Sequence, residues 1–313
     1  MNSKKINWIF LAIILMHFAV VAVITLLAWR YAFILDIVPN FLMSQSIILV
    51  PALFGVLISK ENLIGLAGFH KIKISTVFKI FLFTFLSMPL TSLVNMISML
   101  FVDNTVVAIS GDVLEVPFLI MLFIIGIFGP FSEELVFRGI VYHGYKKTGT
   151  AFCAMVMSAL LFALMHMNFN QAAYAFVIGL IVVMLVEATG SLWSSVIFHM
   201  VFNSQQVCLM YLYDGMSPGG GLEGAEEMLT TDMLLLAISA WLLLAAVSTA
   251  LAACVLAWIA KGERREDALR AVWKDRKKEN ARQNRMVTIP LLVAIVLALS
   301  YMSLEIILPL LPA

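Results

Sequence analysis

The sequence contains little charge. Only 12% of its 313 residues are Asp, Glu, Lys or Arg, about half the share of an ordinary soluble domain, whereas 62% are hydrophobic. So few charged side chains cannot cover a soluble cytosolic enzyme, and the apolar content excludes a disordered chain. The net charge of +1 provides no field to attract nucleic-acid phosphates. The composition therefore indicates a polytopic membrane protein.

Cysteine is also scarce. Cys153, Cys208 and Cys254 lie in apolar stretches at unrelated spacings. An odd number of such thiols predicts neither the disulfides of a secreted scaffold nor a metal cluster. The sequence also lacks a repeat of fixed period and a low-complexity linker, so we expect a single membrane domain over residues 1–313.

Long apolar runs predict an all-α fold, a polytopic transmembrane helix bundle of about nine spans. A helix needs about 20 mostly apolar residues to cross a bilayer. Runs of this kind occupy residues 7–29, 41–59, 76–102, 117–143, 150–168, 171–189, 192–213, 233–260 and 287–311. The first run is too long for a signal peptide and has no small-residue cleavage site, which favours a retained anchor.

The loops between these runs alternate between basic and acidic. Lysines precede the first span and follow the second and fourth, and residues 261–285 contain ten basic residues against five acidic ones. The loops after the third and seventh spans are acidic and contain no basic residue. The positive-inside rule then predicts a cytosolic N-terminus and an external C-terminus, in what we interpret as a bacterial plasma membrane. We interpret 261–285 as a basic cytosolic loop; a nucleic-acid-binding or lipid-binding arm is the alternative.

The fourth predicted span contains charged residues where lipid would be expected. Charges inside a membrane are costly and mark functional candidates. Glu133 and Glu134 are adjacent and therefore point about 100° apart on a helix, whereas Glu134 and Arg138 are four residues apart and share a face. That pair can neutralise itself. Glu133 has no partner on its own helix, and an unpaired carboxylate in such a setting suits a general base or a metal ligand.

Two further apolar spans carry polar groups of a related kind. His166 lies near the end of the fifth span, and His199 and Asn203 share a face of the seventh. Imidazole and carboxylate groups bind zinc, and a carboxylate can accept the proton of a water molecule. An amide or a protonated imidazole can stabilise an oxyanion. These residue types together predict a site that activates water, provided that the three helices pack together.

The motifs occur in a recognisable order. Glu-Glu-x-x-x-Arg, Phe-x-x-x-His and His-x-x-x-Asn, on separate apolar helices, resemble the CAAX-protease and bacteriocin-processing family of intramembrane proteases, which includes the type II CAAX prenyl endoprotease. The resemblance covers about residues 117–206, which we take as a protease core formed by the fourth to seventh spans. The spans outside this core are candidates for selecting the substrate.

The resemblance implies a role for each motif residue. Catalysis is assigned to Glu133, His166, His199 and Asn203, with Glu133 and His166 activating the water, and with His199 and Asn203 stabilising the transition state or binding a metal. Structural support is assigned to Glu134 and Arg138. Zinc or another divalent metal held by Glu133, His166 and His199 is the expected cofactor, and a metal-free glutamate mechanism is the open alternative.

The predicted function is that of an intramembrane endopeptidase acting on a membrane-associated or lipidated peptide or protein. The expected partners are membrane lipid and a hydrophobic or lipidated substrate, with no nucleic acid, and the site should lie in a hydrophilic cavity open to one face of the membrane. Two alternatives remain at this point. One is a non-catalytic scaffold or bacteriocin-immunity factor, and the other is an ion transporter, against which stands the absence of an inverted repeat.

The depths of the candidate residues conflict. At about 1.5 Å per residue, Glu133, His166 and His199 lie about 20, 28 and 14 Å along their helices from the nearest predicted cytosolic end. Helix tilt, a kink at Pro130 or a buried start to the fifth span would reconcile them.

Overall fold

The protein is a bundle of helices. The structure, a computed structural model, describes residues 1–216, 230–276 and 286–307, and within these ranges it contains no β-strand. The helices are α1 (Ser3–Tyr31), α2 (Ile37–Ile58), α3 (Leu63–Ala67), α4 (Ile74–Ser98), α5 (Thr105–Ala108), α6 (Ser110–Leu114), α7 (Phe118–Lys146), α8 (Ala151–Met165), α9 (Phe169–Thr189), α10 (Leu192–Met216), α11 (Thr231–Gly262), α12 (Glu266–Lys274) and α13 (Ile289–Ile307). The all-α membrane fold is thereby confirmed.

Each of the nine predicted spans overlaps one helix of at least 15 residues, but the count of nine spans is not confirmed. Among the described residues, seven helices are long and apolar enough to cross a membrane, and α8 and α10 are not among them. The 15 residues of α8 cover only about 22 Å at 1.5 Å per residue, less than the hydrocarbon thickness of about 30 Å. The 25 residues of α10 are long enough, but serine, histidine, asparagine and glutamine side chains lower its hydropathy.

Apolar side chains cover the outside of the bundle as well as its core. Trp29, Leu57 and Phe78 are 80%, 72% and 72% exposed, which is unfavourable in water and favourable against lipid tails. Inside, α8 and α9 form a hairpin in which Gly179 of α9 faces Ala159 of α8. A Cβ atom there would lie 2.8 Å from the Cα of Ala159, so glycine permits the close packing of these two helices.

The predicted cytosolic segments meet at one end of the bundle. Glu187, at the end of α9, pairs with Lys146 and lies 4.0 Å from Arg265, and Glu61 lies 3.8 Å from Lys147. Within residues 261–285, α12 is an amphipathic helix, and 277–285 lie outside the described residues. The clustering agrees with the sign pattern of the loops, although the orientation of the bundle in the membrane stays a prediction.

The segments predicted to be external lie at the other end. Thr105 donates a hydrogen bond to Asn168 at 3.1 Å, and the backbone N–H of Phe169 donates to Glu305 at 3.0 Å. Most of the acidic loop after α10 and the final residues 308–313 lie outside the described residues.

Helix α7 is not a regular α-helix. It contains π-helical stretches at Ile124–Phe128 and Leu135–Tyr142, which flank the α-helical turns Gly129–Glu134. Pro130 has no backbone N–H and cannot donate to the carbonyl groups of the preceding turn. Segments of π-helix are rare and often occur at functional sites. Since the geometry departs from 1.5 Å per residue, the depth of Glu133 calculated from a regular helix does not apply.

Candidate active site

Glu133 lies between two other helices rather than against lipid. Its side chain is 13% exposed, and its Oε2 lies 3.8 Å from Nε2 of His199 on α10. Its Oε1 accepts a hydrogen bond of 3.3 Å from Nε2 of Gln45 on α2. The structure therefore brings Glu133 and His199 into proximity and adds a neighbour from α2 that the sequence did not indicate.

Glu134 points in a different direction and is completely buried. Its Oε1 lies 2.9 Å from a terminal nitrogen of Arg138, whose side chain is also fully buried. The same oxygen lies 2.9 Å from Nδ1 of His199. The contact with Arg138 has the distance of an ion pair without hydrogen-bond geometry, since the three guanidinium nitrogens form no hydrogen bond to any residue that the structure describes. The guanidinium also lies over the ring of Phe162, 4.2 Å from its centroid. Glu134 thus compensates the charge of the buried Arg138 and contacts the imidazole of His199.

The contact with Glu134 fixes the orientation of His199. A carboxylate can only accept a hydrogen bond, so Nδ1 of His199 carries a proton and donates a hydrogen bond to Glu134. The other ring nitrogen, Nε2, then faces Glu133 across the 3.8 Å gap. That distance is too long for a direct hydrogen bond and permits a water molecule to bridge the two groups.

His166 is held by its own helix. It is the residue that follows α8, and its Nδ1 donates to the carbonyl oxygen of Phe162 at 2.9 Å. The ring of Phe162 contacts both imidazoles edge-on, with centroid distances of 5.0 Å to His166 and 5.9 Å to His199. Phe162 therefore joins the two histidines through one aromatic ring, and Nε2 of His166 remains available.

Asn203 and Ser204 dock α10 onto the irregular part of α7. Asn203 donates to the carbonyl oxygen of Ile125 at 3.2 Å, and Ser204 donates to that of Gly126 at 3.3 Å. These carbonyl groups lie five and four residues before Pro130, where its missing N–H leaves them open to other donors. The proline thus explains why α10 can attach here. One N–H of the Asn203 amide is occupied in this way, and the second is available for a ligand.

One cavity connects the four predicted catalytic residues. It has a volume of about 820 Å³, in the size range of ligand pockets. It is lined by Glu133, His166, His199 and Asn203, together with residues of α1, α2 and α4. Many of its walls are apolar, for example Ile13, Ile48 and Phe202. The expectation of a hydrophilic cavity is therefore wrong for much of its lining. The polar groups lie mainly on some of the helices around the cavity, and aliphatic side chains of the other helices form the rest of its wall.

The donor types in the cavity fit a metal ion, but their arrangement does not form a metal cluster. In residues 1–216, 230–276 and 286–307, no three His, Cys, Asp or Glu side chains are grouped closely enough to hold a metal. Both histidines nevertheless direct Nδ1 to a carbonyl or carboxylate oxygen, which is the usual orienting contact of metal-ligating histidines. Glu133, His166 and His199 would have to move closer together to share one ion.

The sequence missed two features of this site. The first is Gln45, whose signal is a lone amide within an apolar span. The second is the role of Phe162 as the contact between His166 and His199, for which the Phe-x-x-x-His spacing is the only sequence signal. The contacts of Gln45 with Glu133 and of Phe162 with His199 do not follow from periodicity, because each depends on how separate helices pack.

Comparison with known proteins agrees with the motifs. Residues 115–205 match the family described as "Type II CAAX prenyl endopeptidase Rce1-like". No match was found among curated proteins or among solved structures. The resemblance to the CAAX-protease and bacteriocin-processing family is confirmed at the family level, and the match covers the motif residues from Glu133 to Asn203.

Proposed function

We propose that this integral membrane protein is an endopeptidase that hydrolyses a peptide bond of a membrane-associated or lipidated peptide or protein. The observation that carries the proposal is the approach of Glu133 to His199, 3.8 Å apart, in a cavity of about 820 Å³ between the helices. A carboxylate and imidazoles in a shared, largely apolar cavity are suited to general acid–base chemistry.

The reaction follows from the roles of these groups. Glu133, assisted by His166, takes a proton from a water molecule, and the water oxygen forms a bond to the carbonyl carbon of the substrate. The carbonyl oxygen becomes an oxyanion, which accepts hydrogen bonds from the free N–H of Asn203 and from His199 in its protonated form. The carbon–nitrogen bond then breaks, and Glu133 returns the proton to the leaving amine. The products are a carboxylic acid and an amine, with one water consumed.

Glu134 and Arg138 support this chemistry without contacting the substrate. Glu134 holds Nδ1 of His199 and therefore directs Nε2 towards Glu133. A carboxylate in this position also stabilises the imidazolium form of the histidine. Arg138 balances the charge of Glu134 in a place that water does not reach.

Zinc or another divalent metal is the cofactor that we propose for the same site, held by Glu133 and by Nε2 of His166 and His199. When bound, such an ion lowers the pKa of a coordinated water molecule. Metal analysis of the purified protein tests this without any substrate. We expect about one ion per chain, lost in both His166→Ala and His199→Ala, and a metal-free wild type would overturn the cofactor while leaving water activation by Glu133.

The proposed substrate class rests on the walls of the cavity and on the family. Aliphatic side chains of α1 and α2, including Ile13, Ile14 and Ile47, line the cavity beside the polar site. An apolar chain or a lipid group attached to a peptide would lie favourably against them. The bacterial plasma membrane and a cytosolic N-terminus are the location that we propose from the charges of the loops.

The experiment compares three forms of the protein in liposomes. The probes are an internally quenched peptide that ends in Cys-Val-Ile-Ala, with and without a farnesyl group on its cysteine, and a quenched transmembrane helical peptide. We expect the wild type and Glu61→Gln, a control outside the cavity lining, to cleave at least one probe. Glu133→Gln should cleave none while unfolding at the same temperature. Full activity of Glu133→Gln would refute its role as the base, and a scaffold or transporter predicts cleavage by none of the three.

A further inference from the structure

Gln45 is a polar residue in an unexpected place. It lies in α2, outside the residues that match the protease family, and it is only 7% exposed. An amide in the apolar part of a span is costly unless it is hydrogen-bonded. The sequence around Gln45 gives no structural reason for a glutamine at this position. The reason therefore has to be sought in the contacts of its side chain.

The contact of Gln45 is with the proposed general base. Its Nε2 donates to Oε1 of Glu133 at 3.3 Å, while Oε2 of Glu133 is the atom nearest His199. Since a carboxylate only accepts, the amide nitrogen and not the oxygen must face Glu133. The two carboxylate oxygens thus have different partners on two different helices.

Gly129 makes room for this arrangement. It lies one helical turn before Glu133, and a Cβ atom there would be in contact with Nε2 of Gln45 at 3.5 Å and crowded at 3.2 Å from the carbonyl oxygen of Ile124. The amide of Gln45 therefore packs directly on the backbone of α7 beside the base. Free rotation of the Glu133 carboxylate is restricted by the amide on one side and the imidazole on the other.

We propose that Gln45 is a positioning residue of the protease: it fixes Oε1 of Glu133 so that Oε2 faces the reacting water. The inference rests on the proposed function. It extends the catalytic machinery to α2, beyond the helices that the family match covers. Gln45 acts through Glu133, so its loss should lower kcat and leave KM nearly unchanged.

The activity test uses the three peptide probes named above. We expect Gln45→Leu to lower kcat by roughly 10- to 100-fold, as is common when a partner that orients a reacting group is removed, with KM changed by less than about twofold. Gln45→Glu keeps the shape and places a second carboxylate against Glu133, so it should lose at least as much. The matched control is Gln205→Leu, the same substitution in α10. The amide oxygens of Gln45 and Gln205 are both buried with no hydrogen-bond partner among the described residues, and Gln205→Leu should retain wild-type kcat.

Three results would overturn the inference. The first is an unchanged kcat in Gln45→Leu and Gln45→Glu. The second is an equal loss in Gln205→Leu, which would indicate a general effect of removing an amide. The third is a raised KM at unchanged kcat, which would make Gln45 a substrate contact.

The contact itself can be tested without a substrate. Unfolding temperatures of Gln45→Leu, Glu133→Leu and the double variant form a double-mutant cycle. We expect the double variant to lose less than the sum of the two single losses, and additive losses would show that the side chains do not interact. If the cycle shows that Gln45 and Glu133 interact but the wild type cleaves no probe, the proposed protease function is refuted. The contact would then exist without a catalytic role. If the cycle shows the interaction, the wild type is active and Gln45→Leu keeps the wild-type kcat, only the positioning role is refuted.

Discussion

Glu134→Gln isolates the physical role of the buried ion pair. The side chains of Glu134 and Arg138 are both 0% exposed, and one oxygen of Glu134 is 2.9 Å from Arg138 and 2.9 Å from His199. Glutamine has nearly the same shape as glutamate but no charge. The substitution therefore removes the nearest counter-charge of a guanidinium that water cannot reach, and it weakens the contact that directs His199.

The expected cost is large. Removing one partner of a buried ion pair costs about 3–5 kcal/mol, because the remaining charge is left without compensation. An ion pair on the surface contributes only about 0–1 kcal/mol. Glu61 is 30% exposed and pairs with the N-terminal ammonium of the buried Met1. This pair is only partly buried, so Glu61→Gln is the control for the same change of side chain.

The assay is chemical unfolding of both variants and the wild type in the same mild detergent, followed by circular dichroism. We expect Glu134→Gln to lose about 3–5 kcal/mol and Glu61→Gln, whose carboxylate is partly open to water, to lose clearly less. The double variant Glu134→Leu with Arg138→Met removes both charges and should recover a large part of the stability but not the activity, because His199 has lost its orienting partner. Equal losses in Glu134→Gln and Glu61→Gln would refute the account of the pair as a buried, mutually dependent unit.

The other predictions concern helix packing, the oxyanion and the orientation in the membrane. Gly179→Val should destabilise the protein by about 1–3 kcal/mol, because a Cβ atom at this position would lie 2.8 Å from Ala159; thermal unfolding measures this, and an unchanged midpoint would contradict the close packing of α8 and α9. Asn203→Leu should lower kcat by about 10²–10³-fold with little change in KM on the same peptide probes, and a pure rise in KM would instead indicate ground-state binding. A reporter fused to the C-terminus should be active only outside the cell, since the basic loops predict an external C-terminus, and activity in the cytosol would refute the predicted topology.

The candidate catalytic residues could be predicted from the sequence because each is a polar or charged residue in an apolar stretch. Glu133, Glu134 and Arg138 are charges in an apolar helix, and the four-residue spacing of Glu134 and Arg138 indicates a shared face. The structure adds that Glu134 also reaches His199, a contact across 65 residues of sequence that spacing within a helix cannot reveal. The depths calculated from regular helices disagreed, and the calculation does not hold for Glu133, because α7 contains π-helical stretches.

By itself the sequence determined the membrane character, the positions of the apolar helices and the three motifs, since each of these is a property of short stretches of residues. The tertiary structure decided which side chains meet. Gln45 joins Glu133 from α2, and Phe162 lies between two histidines from different helices. The carbonyl groups that Pro130 leaves open bind α10 through Asn203 and Ser204. The physical reason is that composition and periodicity describe one helix at a time, whereas the active site is formed by the packing of several.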